Sequence, residues 1–138
     1  MRYEGRCHCG NLGVTFETAL APEAIPLRAC QCTFCRKHGA TWTADPAGAL
    51  AIHVADQAQL SRYRFGLGTS EFLVCRRCGV VAAAVATIDG RLCGALNANA
   101  LDARDALTAA PEPVDYDRES ADERVARRRS AWMPATVR

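Results

Sequence analysis

The chain carries little net charge and contains no long apolar run. Its 17 lysine and arginine residues nearly balance its 15 aspartate and glutamate residues, which leaves a net charge of +2. A protein that binds nucleic acid or an anionic membrane through its electrostatic field needs a larger excess of positive charge than this. No stretch of about 18 apolar residues is present either, so no segment is predicted to cross a bilayer. We therefore expect neither nucleic acid nor a membrane among the partners.

The first residues also lack the apolar core of a secretory signal. Residues 1–6 are mostly polar and run directly into Cys7. We therefore expect a cytoplasmic protein, and the reducing environment of the cytoplasm disfavours structural disulfides. With 138 residues the chain is long enough to bury a hydrophobic core, and a single fold is expected.

Cysteine is the residue type that the chain has in excess. Of eight cysteines, Cys93 stands alone and the other seven fall in three clusters: Cys7 and Cys9; Cys30, Cys32 and Cys35; Cys75 and Cys78. Clustered thiols in a reducing compartment are more typical of metal ligands than of disulfides. The alternative, a framework of four disulfides, is disfavoured because cysteines two or three residues apart seldom reach disulfide geometry.

The seven clustered thiols divide into a set of four and a set of three. Zinc is held by four protein ligands in closed structural sites, and by three ligands in sites that keep an open position for chemistry. The two pairs are separated by about 66 residues, and closing a loop of that length costs only a few kcal/mol. Structural zinc contributes roughly 10 to 16 kcal/mol. The sequence thus predicts a four-thiolate site composed of Cys7, Cys9, Cys75 and Cys78.

The remaining three thiols match the ligand number of a catalytic zinc. Thiolates suit zinc, and its fourth position could take water, a thiol or a carbonyl oxygen. The alternative is a filled site, in which His38 or Cys93 supplies the fourth ligand, with His8 and His53 as more remote candidates. Spacing alone leaves both possibilities open. Each histidine could equally have an ordinary surface role, and Cys93 could be a small buried residue within a strand.

Alternating apolar residues predict an all-β protein. The alternation is clearest in residues 12–17, 50–54 and 60–65. The pair Asp89-Gly90 predicts a two-residue turn between strands 80–88 and 91–96. Residues 36–39, directly after the cysteine triple, are interpreted as a tight turn.

We divide the chain into a zinc-binding β domain, residues 1–110, and a C-terminal tail, residues 111–138, that packs on it. The boundary follows from Pro111-Glu112-Pro113, after which the sequence becomes polar and rich in arginine around residues 124–129. Two interpretations of these arginines stay open: a solvated helical face or an anion-binding site. Trp132 is expected to pack on the edge of the sheet or on the rim of a pocket.

The cysteine motifs resemble the signature of the glutathione-dependent formaldehyde-activating (GFA) family, also called the CENP-V/GFA domain. The similarity covers roughly residues 4–105 and includes the segments Gly5-Arg6-Cys7-His8-Cys9-Gly10, Cys30-Gln31-Cys32-Thr33-Phe34-Cys35-Arg36-Lys37, Tyr63-Arg64, Phe72 and Cys75-Arg76-Arg77-Cys78-Gly79. Arg129-Ser130-Ala131-Trp132 resembles, more loosely, a tryptophan-bearing C-terminus common in these proteins.

This resemblance implies a Mss4-like fold of twisted antiparallel sheets stapled by zinc, with a short irregular or helical C-terminal tail. It implies two zinc ions per chain. A structural zinc would be bound by Cys7, Cys9, Cys75 and Cys78, and a catalytic zinc, through which the protein acts, by Cys30, Cys32 and Cys35.

The activity implied by the resemblance is a carbon-sulfur lyase similar to S-(hydroxymethyl)glutathione synthase. Its partners would be a small glutathione-like thiol and a formaldehyde-like aldehyde. Because glutathione is an anion, Arg36, Lys37 or the arginines of the tail could bind it. The alternatives are a non-catalytic zinc-binding module that binds glutathione or a protein partner, and a redox or metal-carrier role for the triple.

Overall fold

Strands form most of the regular structure in the computed structural model, which describes residues 1–138. The eleven strands are β1 (Arg2–Arg6), β2 (Leu12–Glu17), β3 (Arg28–Cys30), β4 (Trp42–Thr43), β5 (Ala49–Val54), β6 (Leu60–Tyr63), β7 (Glu71–Cys75), β8 (Val81–Ile88), β9 (Arg91–Asn97), β10 (Glu112–Val114) and β11 (Met133–Val137). The α-helices are α1 (Thr33–His38) and α2 (Ala121–Ala131), and short 3₁₀ helices cover Pro22–Ala24, Gln57–Gln59, Ala98–Ala100 and Arg104–Ala106. The all-β prediction is confirmed. No helix is long and apolar enough to cross a membrane.

The strands pair in the order β1-β2-β5-β11-β9-β4-β3-β10, and β8, β7 and β6 extend from the other edge of β9. Most pairs are antiparallel, as in the hairpins β1/β2 and β8/β9. The β8/β9 hairpin turns at the predicted pair, where both Asp89 and Gly90 have positive φ. Two pairs are parallel, β3/β10 and β5/β11. Both include a strand from the C-terminal segment, which returns to the sheet through a long connection, as parallel pairing requires.

Strand β11 joins two parts of the sheet. Its residues 135–137 pair with residues 50–52 of β5, and its residues 133–134 pair with residues 93–94 of β9. The segment that we expected to pack on the domain as a tail, residues 111–138, thus contributes β10, α2 and β11, and both strands are hydrogen-bonded within the sheet. Pattern analysis did not indicate this because the pairing partners lie far away in the sequence.

The core is one cluster of 29 buried residues, including Phe16, Ile52, Leu73 and Met133. Five small residues of β8, Val81 to Val85, belong to it. Strand β8 lies between β7 and β9, and helix α2 contacts it from one side. Small side chains on β8 therefore allow close packing and leave space at the surface that α2 helps to cover.

One local prediction is wrong. Residues 36–39 were expected to form a tight turn, but they lie in and just after helix α1, which begins after its N-cap residue Cys32 and ends at Gly39. Gly39 has φ 62°, the left-handed conformation that commonly terminates a helix. A helix of six residues is too short to produce a periodic apolar pattern in the sequence.

Candidate metal centres and the adjoining cavity

The four-cysteine group consists of Cys7, Cys9, Cys75 and Cys78. Its ligand atoms all lie within 4.8 Å of one another. The Sγ atoms of Cys7 and Cys9 are 3.8 Å apart, and those of Cys9 and Cys75 are 3.5 Å apart. Zinc–sulfur bonds of about 2.3 Å in a tetrahedral site need sulfur atoms at about this separation. The group joins the turn between β1 and β2 to the turn between β7 and β8.

Backbone amides point toward these sulfurs. The amide of Leu12 donates to Cys7 Sγ at 3.2 Å. Burial raises the pKa of the Cys7 thiol to about 11. Burial alone would also raise the pKa of Cys78, but hydrogen bonds from the backbone of Cys9 and Val80 lower it to about 6. A cation at the centre of the group would meet at least one sulfur that is already anionic at neutral pH, which favours metal binding.

The three-cysteine group consists of Cys30, Cys32 and Cys35, whose sulfur atoms also lie within 4.8 Å of one another. Cys30 ends β3, Cys32 caps α1 and Cys35 lies in its first turn. The amide of Cys35 donates to Cys32 Sγ at 3.3 Å. The indole N–H of Trp42 donates to Cys35 Sγ at 3.2 Å. A strand end and a helix start therefore bring the three sulfurs together, and two N–H groups orient them.

Proton sharing makes the three sulfurs unequal. A hydrogen bond from Cys35 lowers the pKa of Cys30 to about 6, whereas the hydrogen bond with Cys30 and burial raise the pKa of Cys35. Burial also raises the pKa of Cys32. Cys30 is therefore the sulfur of this group that carries negative charge at neutral pH, and the set is a soft, anionic donor site.

The candidates for a fourth ligand lie elsewhere. The ring of His38 packs on Phe34, with ring centroids 4.3 Å apart. Cys93 donates its thiol hydrogen to the carbonyl oxygen of Ala86. His8 and His53 are exposed and belong to neither sulfur group. The chain thus supplies no histidine, cysteine or carboxylate as a fourth ligand to the three-cysteine group. Of the two possibilities left open by the sequence, an open site and a filled site, the structure has the open one.

A cavity of about 110 Å³ adjoins the three-cysteine group, and all three cysteines line it. Its other lining residues include the aromatic side chains of Trp42, Phe65, Phe72, Tyr116 and Trp132, and the basic side chains of Arg28, Arg124, Arg127 and Arg128. Trp132 therefore lies at a pocket, which is one of the two positions expected from the sequence. Arg36 and Lys37 are exposed on α1 and do not line the cavity.

A stack of aromatic rings holds α1 against the rest of the sheet. Phe34 of α1 packs on Tyr63, Phe65 and Phe72 with centroid separations of 5.5, 5.1 and 4.5 Å. Such pairs each contribute about 0.5 to 1.5 kcal/mol beyond their buried area. The sequence placed Phe65 in an alternating segment but gave no indication that Phe34 packs on it, because α1 itself was not predicted.

The arginines of α2 are the functional candidates that sequence analysis left undecided. Arg124, Arg127 and Arg128 are separated by three and four residues, so they share one face of the helix, and all three line the cavity. Arg129 is exposed and binds Asp89. The helical spacing was visible in the sequence, but which face meets a pocket depends on how α2 docks on β8.

Two comparisons with known proteins give a match. The sequence model of the family described as glutathione-dependent formaldehyde-activating enzyme matches residues 2–113. A crystal structure of a Rhodobacter sphaeroides protein is similar to the chain, with 27% sequence identity and a TM-score of 0.59. The match covers 79% of this chain and 98% of that one. A search of curated proteins gives no match.

Proposed function

Because the chain belongs to the glutathione-dependent formaldehyde-activating family, we propose that it is a zinc-dependent carbon-sulfur lyase that condenses a small, formaldehyde-like aldehyde with glutathione or a related thiol. One observation carries the proposal. Three sulfur atoms converge without a fourth ligand from the chain and line a cavity of about 110 Å³. This is the ligand number of zinc sites that take part in chemistry.

Both sulfur groups suit zinc. In each group the sulfur atoms lie within 4.8 Å of one another, and soft thiolate ligands favour zinc over magnesium, calcium or manganese. In this proposal Cys7, Cys9, Cys75 and Cys78 hold a structural zinc, and Cys30, Cys32 and Cys35 hold a catalytic one. Bound to the three cysteines, zinc would supply a Lewis acid that lowers the pKa of a thiol or polarises a carbonyl oxygen.

The residues of the chain position the reactants. The N–H of Trp42 holds the sulfur of Cys35, and the amide of Cys35 holds the sulfur of Cys32, so the open side of the group keeps one orientation toward the cavity. The aromatic walls, formed by Phe65, Phe72 and Trp132 among others, would hold the thiol beside the aldehyde. In the reaction the sulfur of the thiol bonds to the carbonyl carbon, and the proton of the thiol passes to the carbonyl oxygen.

The test is the rate at which formaldehyde and glutathione exchange with their adduct, measured by NMR exchange spectroscopy. We expect wild-type protein with two bound zinc ions to accelerate the exchange and Cys32→Ser to lose the acceleration. Cys93→Ser is the matched control, because this cysteine belongs to neither group, and it should behave as wild type.

The alternative is a non-catalytic module that binds glutathione or a protein. A wild-type protein with both metals bound that leaves the exchange rate unchanged for glutathione and for other small thiols would overturn the lyase proposal in favour of that module. Acceleration that persists in Cys32→Ser would instead place the activity outside the three-cysteine group.

A further inference from the structure

The buried side chain of Arg128 is the feature of the cavity that the proposed reaction does not yet use. It lies on helix α2, beyond residue 113 where the family match ends. Arg128 is 5% exposed and lines the same cavity as the three cysteines. An arginine this well buried ordinarily has a carboxylate partner, because removing an unpaired charge from water is costly.

Only neutral oxygen atoms bind the guanidinium of Arg128. Its Nη1 atom donates to the hydroxyl of Thr69 at 2.8 Å and to the carbonyl oxygen of Thr69 at 3.3 Å, and its Nη2 atom is 3.4 Å from the hydroxyl of Ser70. Its Nε atom is buried and has no hydrogen-bond partner. No carboxylate forms an ion pair with it, although seven ion pairs occur in the chain. The guanidinium therefore has unused donor capacity and no carboxylate bonded to it.

The neighbouring residue gives an internal comparison. Arg129 binds Asp89 through two hydrogen bonds, from Nε at 2.7 Å and from Nη2 at 3.2 Å. This two-point contact is the usual way in which arginine binds a carboxylate. Arg129 is exposed, where such a pair contributes little, whereas Arg128 is buried and has no such pair.

The charge of Arg128 persists at neutral pH, and no carboxylate forms an ion pair with it, although Glu119 is close enough to act on it electrostatically. Burial lowers the pKa of its guanidinium only to about 10. Burial raises the pKa of the neighbouring Cys93, so that thiol is neutral. Arg124 and Arg127 share one carboxylate, that of Glu119, and the Nε atom of Arg124 is also buried without a hydrogen-bond partner. Four arginines and one acidic residue, Asp117, line the cavity, which therefore has more cations than anions.

Apolar surface lies next to this charge. The guanidinium of Arg128 is centred 4.7 Å from the ring of Trp132, which lines the cavity together with Phe65 and Phe72. Stacking on an aromatic ring fixes the plane of the guanidinium without neutralising it. A ligand that fills this space would place an apolar body against the rings and an anionic group against Arg128.

We propose that Arg128 is the residue that binds a carboxylate of the substrate, so that the reactants of the three-cysteine group include a carboxylic acid. The inference rests on the proposed function for its reaction and adds the class of substrate. The carboxylate could belong to the thiol, as in glutathione, or to the aldehyde, as in glyoxylate, and the experiment distinguishes these two sources.

The test compares acids with their neutral counterparts by titration calorimetry on protein with both metals bound. One pair of probes is glutathione and its diethyl ester, and the other is glyoxylate and formaldehyde. In wild-type protein the acid of at least one pair should bind more tightly than its neutral counterpart, and Arg128→Gln should weaken that acid about 10- to 100-fold, the range expected for a charge-assisted hydrogen bond. The neutral probe should bind equally to both proteins. The pair that shows the effect identifies the source of the carboxylate.

Arg129→Gln is the matched control, since it removes an adjacent arginine of the same helix that faces Asp89 instead of the cavity. It should leave all four affinities unchanged. If thermal melting shows that Arg128→Gln does not fold, Arg128→Lys replaces it. This variant keeps the charge but not the planar fork, and it should still weaken the acid several-fold.

The inference is overturned if neither acid is preferred over its neutral counterpart in wild-type protein, or if the preference is the same in Arg128→Gln or Arg128→Lys as in wild type. Because binding is measured without turnover, the two proposals fail separately. A protein that shows a preference dependent on Arg128 but does not accelerate exchange contradicts only the lyase activity. A protein that accelerates exchange without such a preference contradicts only the role of Arg128.

Discussion

The four-cysteine and three-cysteine groups use the same ligand type, yet their surroundings differ. In the four-cysteine group every sulfur comes from a turn or strand end, and the group ties together two hairpins that are distant in the sequence. In the three-cysteine group all sulfurs come from six consecutive residues, so the group does not connect distant parts of the chain. Its three cysteines line a cavity. A metal in the first group would mainly stabilise the fold, and a metal in the second would mainly serve chemistry.

The difference indicates how one ligand type, the cysteine thiolate, could support two kinds of metal site within one small domain. When a metal site closes a long loop, the unfolded chain does not contain the site, so the free energy of metal binding stabilises the folded state. A site formed by neighbouring residues gains little from the fold, but it can leave one coordination position open. The variants below are ordered from the largest expected effect to the smallest.

Replacing a ligand of the four-cysteine group should have the largest effect. Cys75 is fully buried at the end of β7, and Cys75→Ser should release the metal and unfold the domain, because structural zinc contributes roughly 10 to 16 kcal/mol and small domains have about 5 to 15 kcal/mol of stability. Circular dichroism and metal analysis measure both consequences. A folded Cys75→Ser protein that melts like wild type would contradict the structural role of this group.

Replacing a ligand of the three-cysteine group should abolish activity and spare the fold. Cys32→Ser should lose about one zinc per chain and retain a cooperative thermal transition. Changing a residue that only hydrogen-bonds to a metal ligand typically lowers activity by up to roughly 100-fold. Because Cys32 is itself a ligand in this proposal, Cys32→Ser should lower the exchange activity by more than that. If Cys32→Ser and Cys75→Ser lose the fold equally, the proposed division into a structural and a catalytic group is wrong.

Removing the hydrogen bond from Trp42 should weaken one metal site and leave the other unchanged. Trp42→Phe keeps an aromatic ring in the core but deletes the N–H that binds Cys35 Sγ at 3.2 Å. Zinc affinity at the three-cysteine group should fall about 10- to 100-fold. Competition with a chromophoric chelator measures the two sites separately, and equal weakening of both would show that the change acts through overall stability.

Two glycines offer the smallest and most closely matched change. Gly39 ends α1 beside the three-cysteine group, and Gly79 follows Cys78 in the four-cysteine group; both have positive φ, and a Cβ atom at either position would contact nothing. Alanine at either position should therefore cost about 1 kcal/mol, from backbone conformation alone. Urea unfolding measures this cost, and chelator competition should show easier metal loss only at the group that contains the change. A cost above about 3 kcal/mol would indicate that the backbone cannot adapt.

Local signals in the sequence predicted the sulfur sets and the β8/β9 hairpin. The spacing of the cysteines separated four from three, and the structure brings together those same sets. The turn at Asp89-Gly90 and the strands around it were also predicted, because a two-residue turn and its flanking alternation are determined by adjacent residues.

Features that depend on distant contacts could not be predicted. Strand β11 contains Pro134 in a short segment after a polar helix, and only its pairing with β5 and β9 makes it a strand. Helix α1 is too short for its periodicity to be recognised. The burial of Arg128 depends on the docking of α2 against Thr69 and Ser70, about 58 residues away in sequence. Strand β11 and the burial of Arg128 concern the cavity, so the cavity was harder to predict than the cysteine ligands.

The position of β11 has a consequence for the cavity. Trp132 is the single residue between α2 and β11, so hydrogen bonds to β5 and β9 hold the end of the helix that carries Arg128. A chain shortened by residues 133–138 would expose two unpaired strand edges, which promote aggregation. It would also remove the strand that holds α2, and with it Arg128, beside the cavity. Fusions and deletions at this end should therefore alter ligand selectivity as well as solubility.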